Sequence, residues 1–159
     1  AIAFNGEIWN ALKGSNFITY THAGHPVGAA AAVKAMEIYK RDKVVENAAR
    51  VGKYAMERLK KVLGPLPWVS DISGLGLMIG IEIVADKATK RPFDQKSSIM
   101  QCIHEKALEK GLYVRVSDIG GSPGERVAFA PPLIVTTDEV DKAINILYSA
   151  ISEASSQAR

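Results

Sequence analysis

Hydroxyl and imidazole side chains crowd one short stretch, Thr19-Tyr20-Thr21-His22-Ala23-Gly24-His25-Pro26. A run of the smallest side chains follows at once, Gly28 to Ala32. Proline suits the first position of a helix, where its missing N–H costs nothing. The N–H groups of a helix's first turn have no partner inside the helix and can face an anion. Holding a phosphate or a similar group is therefore chemistry this stretch could do. A plain capped helix start would use the same residues, with Gly28 to Ala32 allowing another backbone close. The turn alone does not separate these two readings.

A second candidate is Arg115, which stands between Val114 and Val116 and just before a loop, Asp118 to Glu125, with three glycines and a proline. A guanidinium is planar and its fork matches a carboxylate. The alternative is a surface ion pair with Asp118 or Glu125, and Arg126 is a competing arginine. His104 has Glu105 beside it but Leu108 at i+4, so it lacks the second ligand a metal needs. Cys102 is the only cysteine, which excludes an internal disulfide and fits a reducing compartment. Gly74, Gly76 and Gly80 are spaced almost as in a dinucleotide fingerprint, but with one residue too many and a strand where a helix should follow. His25, Glu82, Asp138 and Glu139 read as structural.

These residues must be carried by elements, and the composition limits what those can be. The 159 residues are 47% hydrophobic and 23% charged, as in a soluble globular protein of one domain, or one domain and part of another. A formal charge of +3, scattered along the chain, gives no basis for nucleic-acid binding. No apolar run approaches the roughly 18 residues of a membrane span, and no signal peptide is visible. A cytoplasmic location is expected. Ala1 to Phe4 reads as the middle of a longer chain.

Periodicity then places the elements. Phe4, Ile8 and Leu12 mark a short helix, and a small-residue helix runs from Pro26 to about Tyr39. Asp42 is the expected N-cap of a third helix whose apolar face is Val44, Ala48, Val51, Ala55, Leu59 and Val62. Gly64-Pro65-Leu66-Pro67 stops it. Trp68 to Ser73 reads as a strand and Gly74-Leu75-Gly76 as a turn or bulge. Leu77, Ile79, Ile81 and Ile83 then alternate with Met78, Gly80 and Glu82, a second strand. Ile99, Ile103 and Ala107 give a helix ending at Gly111. Leu112, Val114 and Val116 form one face of a strand, and Val127 to Ala130 another. Thr136-x-x-Glu139 is a capping box that opens a last helix facing inward through Val140, Ile144, Leu147 and Ile151. The fold class is α/β, with a small, mostly antiparallel sheet covered by helices.

Three stretches, in order, resemble one known family. Thr21-His22-Ala23-Gly24-His25-Pro26 and its small-residue helix resemble the T-Y-S-G-H-P segment of class III, ω-amino acid type, pyridoxal-phosphate aminotransferases. Gly74 to Val84 is similar to that family's R-G-x-G-L-x-x-G-(I/L)-E-(L/I)-V strand. Arg126 to Leu133 with Thr136 to Val140 is similar to its closing A-P-P-L-x-(I/V)-T-x-x-E segment. The resemblance covers essentially the whole chain.

What the resemblance implies is specific. The chain would be the C-terminal portion of a fold-type I enzyme: residues 1–41 the end of the large cofactor domain, and 42–159 the small C-terminal α/β domain. The missing remainder would be about twice as long. The Schiff-base lysine would lie upstream, outside this chain, since Lys13 is too close to the turn and Lys34 follows it, so no catalytic residue is nominated and the fragment alone is expected to be inactive. Thr21 would reach the phosphate of the neighbouring subunit's pyridoxal 5′-phosphate in a homodimer with shared active sites, and Tyr20 would line the same pocket. Family members often carry His-Gly where this chain has Ile18-Thr19, and Tyr-Ser where it has His22-Ala23; His22 is read as filling the tyrosine's space. Arg115 would bind the substrate carboxylate and swing away for amine substrates. Some relatives bind an α-carboxylate with an arginine at the position of Ala128, whose absence leans against an ornithine-type specificity. Ile83 to Phe93 resembles the amine– or β-alanine–pyruvate branch, in which a primary amine or ω-amino acid gives its amino group to a 2-oxo acid such as pyruvate. The competing readings are a 4-aminobutyrate or diaminopelargonate type aminotransferase, a racemase or aminomutase on the same scaffold, and a non-catalytic α/β binding domain.

Overall fold

The computed structural model describes residues 5–14, 21–94, 98–117 and 125–157. Two compact units are distinguished, Ala1–Ile38 and Tyr39–Arg159. The division falls inside a helix, a few residues before the expected boundary at Arg41.

The first unit holds α1 (Gly6–Leu12) and most of α2 (Pro26–Arg41). Asn5 caps α1, its side-chain oxygen accepting from the Ile8 N–H at 3.0 Å. None of the residues of α2 is buried, and Val27, Val33 and Met36 are exposed.

In the second unit α3 (Val44–Val62) buries Val51, Ala55 and Leu59 completely. Asp42, the expected N-cap, does not cap it. Its carboxylate instead accepts from Arg41 Nε at 2.6 Å and Nη2 at 2.8 Å. The cap position is Lys43, in left-handed conformation at φ 50° and with no side-chain bond. A charged neighbour offers a stronger hydrogen bond than a backbone N–H does, so the arginine takes the acceptor.

Strands β1 (Val69–Leu75), β2 (Met78–Ile83), β3 (Arg115–Ser117) and β4 (Glu125–Phe129) form one sheet in the order β1-β2-β4-β3, antiparallel throughout. Ile79, Ile81, Ile83, Val127 and Phe129 face inward, as period two requires. Val69 and Ile72 are three residues apart yet both buried, because the register shifts between Val69 and Asp71. The β1–β2 turn is Gly76-Leu77, so Gly74 and Leu75 belong to the strand rather than to the expected turn. Strand β3 is also shorter than expected, since Leu112 and Val114 precede it. Arg115 pairs with Ala128, and two residues beyond Phe129 come Pro131 and Pro132. Proline has no N–H to give a ladder, so pairing cannot run back to Leu112.

Helices α4 (Ile99–Glu109) and α5 (Thr137–Gln157) pack against each other, and α3 packs on α5 and β1. Gly111 follows α4 at φ 84°, the left-handed C′ residue expected there. The capping box at α5 is formed: Thr136 N–H donates to Glu139 Oε2 at 2.9 Å and Glu139 N–H to Thr136 Oγ1 at 3.3 Å. Val140, Ile144, Leu147 and Ile151 are fully buried. Each such side chain contributes roughly 1.5–3 kcal/mol by leaving water.

One polar link ties α3 to α5. Tyr54 Oη donates to Asp141 Oδ2 at 2.7 Å and Arg58 Nε to Asp141 Oδ1 at 2.8 Å. The tyrosine hydroxyl, then the guanidinium, hold the Asp141 carboxyl below its ordinary range. A carboxylate lowered in the folded state stabilises above its unfolded pKa, and that contribution disappears as pH falls through the folded one. Thermal melts of wild type and D141N in the full-length protein should therefore differ at neutral pH, with wild type more stable, and converge in acid. A difference that does not depend on pH would show that the charge of Asp141 is not what matters.

Candidate active site

The expected phosphate turn lies in the first unit. His22 to His25 form a turn just after Thr21, closed by the His25 N–H donating to the His22 carbonyl at 3.2 Å. Gly24, at the third position of that turn, has φ 72°, which a side chain would resist. The His25 carbonyl then accepts from Ala29 N–H at 3.0 Å, and α2 starts at Pro26. Thr21 is exposed at the head of this arrangement. Tyr20 lies outside the described residues. The His22 ring stands edge-on to His25, with centroids 6.2 Å apart, so the two imidazoles brace each other within the turn. An exposed hydroxyl beside a helix start whose first N–H groups lack intrahelical acceptors suits the phosphate end of a cofactor. Lys34 does not compete for a chemical role, since its Nζ pairs with Glu37 at 2.8 Å on an exposed face.

Arg115 lies in the second unit, on the open face of the sheet, and is exposed rather than buried. Residues opposite one another across the strands form rows on that face. Asp71, Glu82, Arg126 and Ser117 make one row, and Ser73, Gly80, Ala128 and Arg115 the next. The second row is small everywhere except at Arg115; the Arg126 side chain reaches over Gly80, and Ala128 is the small residue directly opposite Arg115. Arg115, Tyr113, Ala128 and Pro131 line a cleft of about 500 Å³.

The neighbouring arginine is turned to another partner. Arg126 approaches Glu82 Oε1 at 3.9 Å, and Glu82 Oε2 accepts from Ser70 Oγ at 2.6 Å, a structural role as expected. Among the described residues Arg115 makes no ion pair. Asp118, one of its two possible partners in sequence, lies outside the described residues. No group of three metal-binding side chains occurs among the described residues.

Two contributors near Arg115 were not nominated from the sequence. Tyr113 lines the same cleft and is 74% exposed. His104 Nδ1 lies 2.8 Å from the Val114 carbonyl oxygen, and its ring meets Tyr113 edge-on at 5.5 Å. The two-residue spacing of Tyr113 and Arg115 was a usable signal for the first. A helix-to-loop hydrogen bond leaves no periodic trace, so nothing pointed to the second.

The described structure is thus an α/β domain with one open sheet face, a cleft beside Arg115 where the ends of β3 and β4 meet α5, and a separate helix-start turn suited to an anion. Comparison with known proteins gives this arrangement its family. The family described as Aminotransferase class-III matches residues 1–151. The chain belongs to that family. An uncharacterized aminotransferase of Schizosaccharomyces pombe is 36% identical over 135 residues, covering 84% of this chain and 29% of the relative. The adenosylmethionine-8-amino-7-oxononanoate aminotransferase of Methanocaldococcus jannaschii is also 36% identical over 135 residues, covering 85% and 28%. A solved thermostable (S)-enantioselective omega-transaminase from Thermomicrobium roseum matches with TM-score 0.77 and 30% identity over 93% of this chain and 32% of that one. The fold is that of class III transaminase structures, fold-type I. The chain spans less than a third of the length of these curated relatives. No helix among the described residues is long and apolar enough to cross a membrane.

Proposed function

We propose that this chain is the C-terminal part of a pyridoxal-phosphate-dependent transaminase that moves an amino group from a primary amine or ω-amino acid to a 2-oxo acid such as pyruvate. Residues 1–41 would complete its large domain and 42–159 would form its small one. The carrying observation is Arg115: an exposed guanidinium without an ion pair among the described residues, lining a largely apolar cleft opposite Ala128. That is what a carboxylate needs in order to dock and leave. The likeness to a solved omega-transaminase supports the same assignment.

Bound pyridoxal phosphate supplies an aldehyde and an electron sink. This chain's own contribution is binding and orientation. Thr21, with Tyr20 beside it, would hold the cofactor's phosphate across the interface of a cytoplasmic homodimer. Arg115 would fix the carboxylate of the 2-oxo acid and turn its carbonyl carbon toward the reacting centre. Orienting a bound reactant in this way lowers the entropic part of the barrier. The lysine that does the covalent work is not in this chain.

A second reading is carried by the Methanocaldococcus relative, a diaminopelargonate type enzyme at 36% identity. A 4-aminobutyrate type enzyme is its companion alternative. The family match over most of the chain weighs against a free-standing binding domain. The visible absorbance of the full-length protein separates these readings. It should bleach with a primary amine and return with pyruvate. Bleaching only by adenosylmethionine, with return on 8-amino-7-oxononanoate, would select the second reading. Absorbance indifferent to every donor would sink both.

A further inference from the structure

We infer that His104 is a positioning residue for Arg115, and through it sets the affinity for the carboxylate substrate. This rests on the reading of Arg115 given above. Strand β3 is three residues long and lies at the edge of the sheet, paired on one side only. Its own ladder is too short to fix the direction in which Arg115 leaves the backbone. The connection that enters it must do so.

That connection is held at both ends by α4. At its start the Leu112 N–H donates to the Ala107 carbonyl at 2.9 Å. At its end the Val114 carbonyl, one residue before Arg115, lies 2.8 Å from His104 Nδ1. A carbonyl oxygen only accepts, so Nδ1 carries the proton. His104 is followed three residues later by Ala107, and Ile103 and Ala107 are both fully buried, so the ring is mounted on a turn of helix that cannot shift. Val114 is itself buried, which makes its carbonyl costly to leave without a partner. The ring also backs Tyr113, which lines the cleft with Arg115. One imidazole therefore braces the backbone on which the guanidinium is mounted and the aromatic wall beside it.

The test uses the full-length holoenzyme and two amino acceptors: pyruvate, and an aldehyde of similar size without a carboxylate. H104F keeps a ring against Tyr113 but removes the N–H. H104N places an amide N–H near the position of Nδ1. H104M, lacking both ring and N–H, is carried in parallel in case H104F does not fold. Losing the hydrogen bond should lower the ratio of kcat/KM for pyruvate to that for the aldehyde by roughly fivefold to tenfold in H104F and H104M, through KM for pyruvate. H104N should recover most of it. R115A is measured beside them. If R115A leaves the ratio unchanged, the reading of Arg115 has failed and this inference with it. If R115A lowers the ratio but H104F and H104M do not, or if H104N is no better than they are, the inference alone is overturned. An equal loss on both acceptors that tracks a lower melting temperature also overturns it, since that is what a purely structural histidine would give.

Discussion

R115A in the full-length enzyme is expected to raise KM for pyruvate about 100-fold, the usual scale for deleting one partner of a desolvated charge pair. Arg115 is exposed in this chain, where water competes for its guanidinium. In an assembled active site the open sheet face would be covered and that competition reduced, which is the condition under which an arginine–carboxylate fork is strong. The small side chain of Ala128, paired directly with Arg115, leaves the anion space to approach. R115K should fall between wild type and R115A, because an ammonium keeps the charge and loses the planar fork. KM for an amine donor without a carboxylate should change far less, since it has nothing for the guanidinium to hold. Steady-state kinetics with both substrate types decide the matter. Equal effects on acceptor and amine would return Arg115 to the status of a surface residue and direct attention to Arg126.

The elements around Arg115 differ in how well the sequence announced them. The alternation from Leu77 to Ile83, the period of α5 and the Thr136–Glu139 box each bring one physical rule to bear on contiguous residues, and all three were legible. So was the antiparallel pairing of β1 with β2, because their two-residue connection leaves no room for a parallel crossover. The length of β3 was not. It depends on what β4 can offer as a partner, and the prolines that limit β4 lie some fifteen residues away in sequence. Asp42 failed for a related reason: the capping rule ranks acceptors for the backbone and is silent about an arginine next door. The candidate site was legible mainly where it follows motifs. Thr21 and Arg115 stood out by their neighbours in sequence, whereas His104 is tied to Val114 only through the folding of α4 against β3.

The largest stability effect is expected at Gly52, in the middle of α3. A Cβ built there would lie 2.3 Å from the Gly76 carbonyl carbon and 2.6 Å from its Cα, both backbone atoms. Neither side of this contact can retreat at small cost. The turn that carries Gly76 is fixed by the β1–β2 ladder, with Leu75 paired to Met78, and by buried Leu77. Helix α3 is fixed by fully buried Val51 and Ala55, one on either side of Gly52 in sequence, and by the Tyr54–Asp141 bond. G52A should therefore destabilise the protein by about 3 kcal/mol or more, at the upper end of what overpacking costs. Gly76 faces the same contact from the other side but for a different reason. A Cβ there would meet nothing closer than the Ala48 carbonyl oxygen at 3.7 Å, an ordinary contact. Its constraint is φ 57°, the left-handed region, where an alanine costs roughly 1–2 kcal/mol. Thermal or urea unfolding of G52A and G76A should thus rank Gly52 as clearly the more sensitive position. The opposite order would mean that α3 yields to the added methyl and that the close approach of helix to turn does not hold the domain together.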